Sequence, residues 1–100
     1  MVIYNKAIRD KIPEIIKESG KNCNVKKLDD SEFLVQLEKK LVEELAEYQE
    51  SKNVEELADV LEVIYRISNL KGFDLDKARL EKIEKRGKFE KNLFLIYTRD

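Results

Sequence analysis

Apolar residues recur at three- and four-residue spacings along most of the chain, the spacing that places side chains on one face of an α-helix. Helix-start and helix-stop residues divide this pattern into four predicted helices, over about residues 10–19, 29–50, 53–70 and 74–86. The predicted N-caps are Asp10, Asp29, Asn53 and Asp74, and the glycines that end three of the helices are Gly20, Gly72 and Gly87. The pattern predicts an all-α fold with a tight helical hairpin at its centre.

The two central helices differ in how much of their surface is apolar. The helix over 29–50 has a single predicted core stripe, formed by Phe33, Leu34, Leu37, Leu41, Leu45 and Tyr48. The helix over 53–70 has two apolar faces, one formed by Leu57, Leu61 and Ile64 and the other by Val60, Val63 and Ile67. A helix this apolar is usually buried on more than one side. We therefore expect a homo-oligomer, most simply a homodimer that completes a four-helix bundle, with a homotetramer as the alternative.

The remaining segments have weaker patterns. Residues 21–28 are predicted as a loop or short extended piece, and residues 93–97 have the composition of a strand or an extended segment. The 100 residues are expected to form one domain, because a typical domain holds about 100–150 residues. The first residues lack the apolar run of a signal peptide, and no segment reaches the ~20 apolar residues of a membrane span. We expect a cytoplasmic protein with no membrane partner.

Composition excludes several kinds of chemistry. The chain has no His and a single Cys, so it cannot form a Ser-His-Asp triad, a Cys-His pair, a His-ligated zinc site or an internal disulfide. Its three glycines are too far apart for a glycine-rich phosphate loop. The net charge of −1 conceals an acidic centre, at −9 over residues 28–62, between flanks of +4 each. This distribution suits a central cation site with phosphates bound around it, and it equally suits an ion-paired surface. It disfavours a nucleic-acid partner, because acidic helices repel phosphate.

The candidate chemistry lies in two acidic motifs, Glu43-Glu44-x-x-Glu47 and Glu56-x-x-Asp59. Residues three apart share one helix face, and in an antiparallel hairpin residues equally distant from the turn lie level with one another. Glu47 is then opposite Glu56, and Glu44 is opposite Asp59. If both faces turn inward, four carboxylates converge, and this all-oxygen donor set favours Mg²⁺, with Mn²⁺ as the alternative.

A purely structural interpretation of these carboxylates stays open at this stage. Glu56 is also the third residue of a capping box that starts at Asn53. Glu43 and Glu47 also have Lys39 and Lys40 at ion-pairing distance along the same helix. Glu44, however, interrupts an apolar stripe, and an unpaired carboxylate near a core requires a cation.

These motifs resemble the EExxE and ExxD signature of the all-α nucleoside triphosphate pyrophosphohydrolase superfamily, which includes MazG-like proteins. The opening Tyr4-Asn5-Lys6-Ala7-Ile8-Arg9-Asp10-Lys11-Ile12-Pro13 is similar to the YNKLVRDKIP start of a phosphoribosyl-ATP pyrophosphohydrolase-like branch. Arg86-Gly87-Lys88-Phe89 is similar to the RGxF segment that ends that branch. The spacer of eight residues between Glu47 and Glu56 is shorter than in most of the superfamily, which puts the substrate in doubt more than the metal.

The resemblance implies hydrolysis of a nucleoside triphosphate between its α and β phosphates, giving a monophosphate and pyrophosphate, as in the removal of non-standard or excess nucleotides. It implies Mg²⁺ ligation by Glu44, Glu47, Glu56 and Asp59. Because the chain has no His, we expect Glu43 or Glu47 to orient or deprotonate the attacking water. The candidate substrate-binding cations are Lys6, Arg9, Lys11, Lys40 and Arg86.

Two alternatives accompany this prediction. Each of these cations also suits ordinary surface ion pairing, and Arg86 also suits the dipole at a helix C-terminus. The competing function is a non-catalytic oligomeric helical module whose acidic centre binds a cation or a basic partner.

Overall fold

The computed structural model describes residues 1–100 and confirms the all-α prediction: the chain forms four helices and no strand. Helix α1 spans Ile12–Glu18, α2 spans Asp30–Ser51, α3 spans Val54–Leu70 and α4 spans Leu75–Arg86. None of these helices has the length and apolar composition that crossing a lipid bilayer requires.

The predicted residue occupies the N-cap position in three of the four helices, and in two of them its side chain makes the capping hydrogen bond. The Asp29 carboxylate accepts a hydrogen bond from Glu32 N at 2.8 Å, and the Asp74 carboxylate accepts one from Lys77 N at 3.1 Å. Asn53 occupies the N-cap of α3 but makes no side-chain capping bond. The prediction of Asp10 as the cap of α1 is wrong, because Ile12 N donates to Arg9 O at 3.2 Å and closes a turn that encloses Asp10. Helix α1 consequently begins two residues later than predicted.

The C-terminal stops agree better with the sequence. Gly20 and Gly72 follow the C-cap residues of α1 and α3, and both have positive φ. Gly87, with φ of 82°, is itself the C-cap of α4. The left-handed conformation needed at these stops is one that glycine adopts without steric cost.

Helices α2 and α3 form the predicted hairpin and supply most of the core. The link between them is Lys52 and Asn53, and Lys52 adopts a left-handed conformation with φ of 60°. Leu37 of α2 and Val63 of α3 are buried together with Ala7, which comes from the non-helical N-terminal segment. The half-buried side chains packed against this core are Phe33, Leu41, Ile67 and Leu70.

One position of the predicted core stripe is wrong. Leu45 is exposed, whereas its neighbour Glu44 is among the few buried residues of the chain. The inward-facing positions of α2 follow 37, 41, 44 and 48, a regular succession of four- and three-residue steps, and Leu45 lies off this line. Glu44 therefore occupies the inward-facing position that the sequence pattern assigned to Leu45.

Much apolar surface is left outside this core. Val60, Val63 and Ile67 of α3 pack toward α2, but Leu57 and Leu61 on the second face of α3 are each 47% exposed. Helices α1 and α4 have no buried residue, and the molecule is elongated, at 62 × 31 × 23 Å. Residues 93–97 form no strand and are exposed throughout. The oligomer stays a prediction, with an apolar surface of α3 available for it.

Candidate metal centre

Three carboxylates of α2 lie close enough together to bind one cation. Glu43, Glu44 and Glu47 each offer an oxygen atom, and these atoms lie within 4.8 Å of one another. We call these three residues the acidic cluster. Residues 43, 44 and 47 fall on adjoining positions of one helical surface, which is why the Glu-Glu-x-x-Glu spacing brings them together. Three negative charges this close together repel one another, and the repulsion is stronger where a carboxylate is buried than where water screens it.

Glu44 is the least solvated member of the acidic cluster. It is 5% exposed, and its Oε2 is buried with no hydrogen-bond partner. Its other oxygen, Oε1, lies 3.3 Å from Lys40 Nζ. Burial raises the pKa of Glu44, the neighbouring Glu47 carboxylate raises it further, and Lys40 acts in the opposite direction. One lysine therefore compensates only part of the cost of this buried charge.

Glu56 presents a second buried oxygen from the facing helix. Its Oε2 is also buried without a partner. In a capping box the Glu56 side chain would accept from Asn53 N, but that amide donates to Ser51 Oγ at 3.2 Å instead. The capping-box interpretation of Glu56 is therefore wrong, because its side chain accepts no hydrogen bond from the Asn53 amide. An orphaned buried oxygen on each of two packed helices is the kind of environment in which a cation is stabilising.

Asp59 is half-buried on α3 and has a partner. Arg9 Nη2 donates to Asp59 Oδ1 at 2.8 Å. Neither Glu56 nor Asp59 belongs to the acidic cluster. Of the four predicted metal ligands, then, Glu44 and Glu47 are brought together directly, whereas Glu56 and Asp59 lie on the opposite helix of the hairpin.

A second ion pair joins the N-terminal segment to the acidic cluster. Lys6 Nζ donates to Glu43 Oε1 at 2.9 Å, and Lys40 Nζ lies 3.9 Å from the same oxygen. The hydrogen bond with Glu43 raises the pKa of Lys6, and the same bond lowers the pKa of Glu43. Lys39 makes no ion pair, so the predicted pairing within α2 holds for Lys40 alone.

The remaining predicted cations are not at this site. Lys11 is the exposed N-cap residue of α1, and Arg86 is exposed in the last turn of α4. Neither forms an ion pair with a carboxylate of α2 or α3. Arg86 instead borders an open cavity of about 600 Å³ that also includes Lys88 and Phe89. Within one chain, Lys6, Arg9 and Lys40 are the candidate cations that contact the carboxylates.

The structural role of the N-terminal segment was not predicted from the sequence. Ala7 is buried in the main core, between the two residues that form ion pairs with the hairpin. Hydrophobic periodicity does not predict the burial of Ala7, because the segment before α1 is not helical. The only signal was an apolar pair, Ala7 and Ile8, between the two basic residues Lys6 and Arg9.

Comparison with known proteins leaves this site to be interpreted from its own geometry. No protein-family model matches the chain, and searches of curated proteins and of solved structures return no match. The donor set is entirely carboxylate oxygen, which suits Mg²⁺ or Mn²⁺ and not the softer metals that select nitrogen or sulfur. Within the acidic cluster, the orphaned buried oxygen of Glu44 is the observation that makes this donor set fit a cation.

Proposed function

We propose that the protein is a Mg²⁺-dependent nucleoside triphosphate pyrophosphohydrolase that cleaves between the α and β phosphates. The observation that supports this most directly is the Glu44 carboxylate, buried with one oxygen unpartnered inside a group of three carboxylates. A protein gains nothing in stability from such an arrangement unless a cation is supplied. The resemblance of the acidic motifs then connects the cation to phosphate chemistry.

The proposed ligands are Glu44 and Glu47 of α2 and Glu56 and Asp59 of α3. A divalent cation bound there would neutralise charge on the phosphate oxygens and lower the pKa of a bound water. In the reaction a water oxygen bonds to phosphorus, the P–O bond between the α and β phosphates breaks, and a monophosphate and pyrophosphate leave. The proton lost by the water must pass to a base on the protein or to solvent.

Glu47 suits the role of that base better than Glu43. The hydrogen bond from Lys6 lowers the pKa of Glu43, which makes its carboxylate a weaker base. Glu47 is exposed and forms no ion pair, so it is accessible to a substrate water. Lys6, Arg9 and Lys40 are close enough to the carboxylates to contact a phosphate that approaches them.

The test is pyrophosphate release from a panel of standard, deoxy and damaged nucleoside triphosphates, with phosphoribosyl-ATP included. Each substrate is assayed with Mg²⁺ and with EDTA. We expect turnover of one substrate class that disappears in EDTA and in the variants Glu44→Gln and Asp59→Asn. Glu55→Gln is the matched control, because Glu55 is exposed in the first turn of α3 beside Glu56. No turnover of any substrate by folded, Mg²⁺-loaded protein would contradict the proposal.

A binding module is the second candidate, and one observation favours it. The carboxylates already bind two cationic side chains of this chain, Lys6 and Arg9, at 2.9 and 2.8 Å. A basic segment of another protein could bind in the same manner. Such a module retains its partner in EDTA, whereas an enzyme of the proposed kind loses all turnover there.

A further inference from the structure

The N-terminal arm, residues 1–11, contacts both helices of the hairpin. It contains no helix, and Asn5 adopts a left-handed conformation with φ of 46°. Lys6 reaches Glu43 on α2, and Arg9 reaches Asp59 on α3, so the arm contacts both helices that carry the candidate metal ligands. These contacts join residues separated by 37 and 50 positions along the chain. The arm therefore contacts the candidate metal site although it is distant from it in the sequence.

Two kinds of contact hold the arm in place, and they differ in strength. Ala7 is buried between the helices and acts as an apolar anchor. The two ion pairs are partly exposed, since the side chains of Lys6 and Arg9 keep 39% and 56% of their accessible surface. Exposed ion pairs are weak and exchange readily, because solvent screens them and the side chains lose entropy on pairing. The charged contacts of the arm can therefore break without releasing Ala7.

We propose that the N-terminal arm is an internal counter-ion that competes with the divalent cation for the carboxylates of the hairpin. This inference rests on the metal site of the proposed function. Arg9 occupies an oxygen of Asp59, and Lys6 neutralises Glu43, the neighbour of Glu44. A cation that binds Asp59 displaces the Arg9 guanidinium, and its charge beside Glu43 repels the Lys6 ammonium from that carboxylate. The freed ammonium and guanidinium groups then face the same site, where they are available to a phosphate anion.

The competition has a reciprocal consequence. If the arm weakens cation binding, the cation must loosen the arm by the same free energy. An exposed ion pair of about 0.4–1 kcal/mol corresponds to about a two- to fivefold change in a binding constant. Purely structural ion pairs, in contrast, would alter stability and leave cation affinity unchanged.

The experiment is a titration of the full-length chain with Mn²⁺, followed by electron paramagnetic resonance of the free ion and without nucleotide. We expect Arg9→Gln and Lys6→Gln each to bind Mn²⁺ about two- to fivefold more tightly than the wild type. Lys39→Gln is the matched control, because it removes the same charge one turn from Glu43 and breaks no ion pair. Its affinity is expected to equal that of the wild type.

A second measurement separates displacement of the arm from simple charge repulsion. The side-chain N–H signals of Lys6 and Arg9 in the wild type are compared by NMR with Mg²⁺ and with EDTA. Displacement predicts that Mg²⁺ shifts both signals toward those of unpaired side chains, whereas repulsion between fixed charges leaves both groups hydrogen-bonded to Glu43 and Asp59.

Each alternative result has a definite meaning. If Arg9→Gln binds Mn²⁺ no more tightly than the wild type, or if Lys39→Gln gains as much, the arm is not a competitor and the pyrophosphohydrolase proposal still stands. If Mg²⁺ leaves the side-chain signals of Lys6 and Arg9 unchanged, the displacement is refuted in the same way. If no variant and no wild-type protein binds Mn²⁺, both the arm inference and the metal site are refuted.

Discussion

Lys40 Nζ lies 3.3 Å from Oε1 of Glu44, one helical turn further along α2, while Oε2 of the same carboxylate is buried without a partner. The Lys40 side chain is itself only 18% exposed. Both members of the pair have therefore lost most of their hydration, and only one of the two carboxylate oxygens regains a polar contact. The ion pair offsets part of the free energy lost when the Glu44 carboxylate is buried, but it does not make that burial stabilising.

Removal of Lys40 is expected to destabilise the metal-free protein. Lys40→Gln leaves Glu44 without its cation, and we expect the free energy of unfolding to fall by about 1–2 kcal/mol. Urea denaturation in EDTA measures this change, with Lys39→Gln as the control. In a Glu44→Gln background the same substitution is expected to cost less than about 0.5 kcal/mol. Equal costs in the two backgrounds would show that the pair is not coupled.

Neutralisation of Glu44 is expected to have the opposite effect. Burial raises its pKa, so the native state holds the Glu44 proton more tightly than the unfolded chain does. The stability that this group contributes is complete below the usual glutamate pKa and is lost as the pH rises through the raised value. Glu44→Gln is therefore expected to raise the free energy of unfolding in EDTA by about 1 kcal/mol at neutral pH, with no gain in acid.

The same variant tests the role of the cation. In wild-type protein Mg²⁺ is expected to raise Tm, because a ligand that binds only the native state stabilises it. Glu44→Gln is expected to lose this response. Thermal unfolding followed by circular dichroism, with and without Mg²⁺, gives both results. A Glu44→Gln protein that is less stable than the wild type in EDTA would contradict the view that the buried carboxylate destabilises the metal-free protein.

The helix caps give a matched pair of predictions. The Asp29 carboxylate accepts from Glu32 N and from Ser31 Oγ, and the backbone hydrogen bond lowers its pKa most. Asp29→Ala is expected to lower Tm by several degrees, with an effect that fades as the pH falls through the lowered pKa. Asn53→Ala is expected to change Tm far less, because Asn53 makes no side-chain capping bond. Equal effects of the two substitutions on Tm would disprove this difference.

The exposed face of α3 gives a prediction about association. Leu57 and Leu61 stay half-exposed after the hairpin forms, and we expect a second copy of the chain to cover them. Sedimentation equilibrium of the wild type is expected to reveal a dimer or larger species, and Leu61→Glu to give a monomer. Val25→Glu, which alters an exposed apolar residue of the loop before α2, is the control. A wild-type monomer at every concentration would refute the predicted oligomer.

Local sequence signals were sufficient for most helix boundaries. Asp29 and Gly72 act through bonds and backbone angles that involve only neighbouring residues, so their roles could be predicted from the sequence. Asp10 was mispredicted because it competes with a turn closed by the backbone of Arg9 and Ile12. Where a side-chain cap and a backbone turn are both possible over the same few residues, the sequence alone does not decide between them.

The candidate site depended on tertiary structure to a greater degree. The spacing predicted that Glu43, Glu44 and Glu47 share one region of α2, but it did not decide between Glu44 and Leu45 as the inward residue. That choice is made by how α2 rotates against α3. The contacts of Lys6 and Arg9 could not be derived either, because no periodicity links a non-helical segment to partners so distant along the chain.

The exposed residues 93–97 make the end of the chain prone to aggregation. They form a run of five apolar side chains of high β-propensity with no Pro and no charge, the composition that favours strand pairing between molecules. Charged residues flank the run, with Lys91 before it and Arg99 after it, and the Arg99 guanidinium lies 5.2 Å from the centre of the Tyr97 ring. These charges act as gatekeepers that oppose the stacking of one chain on another.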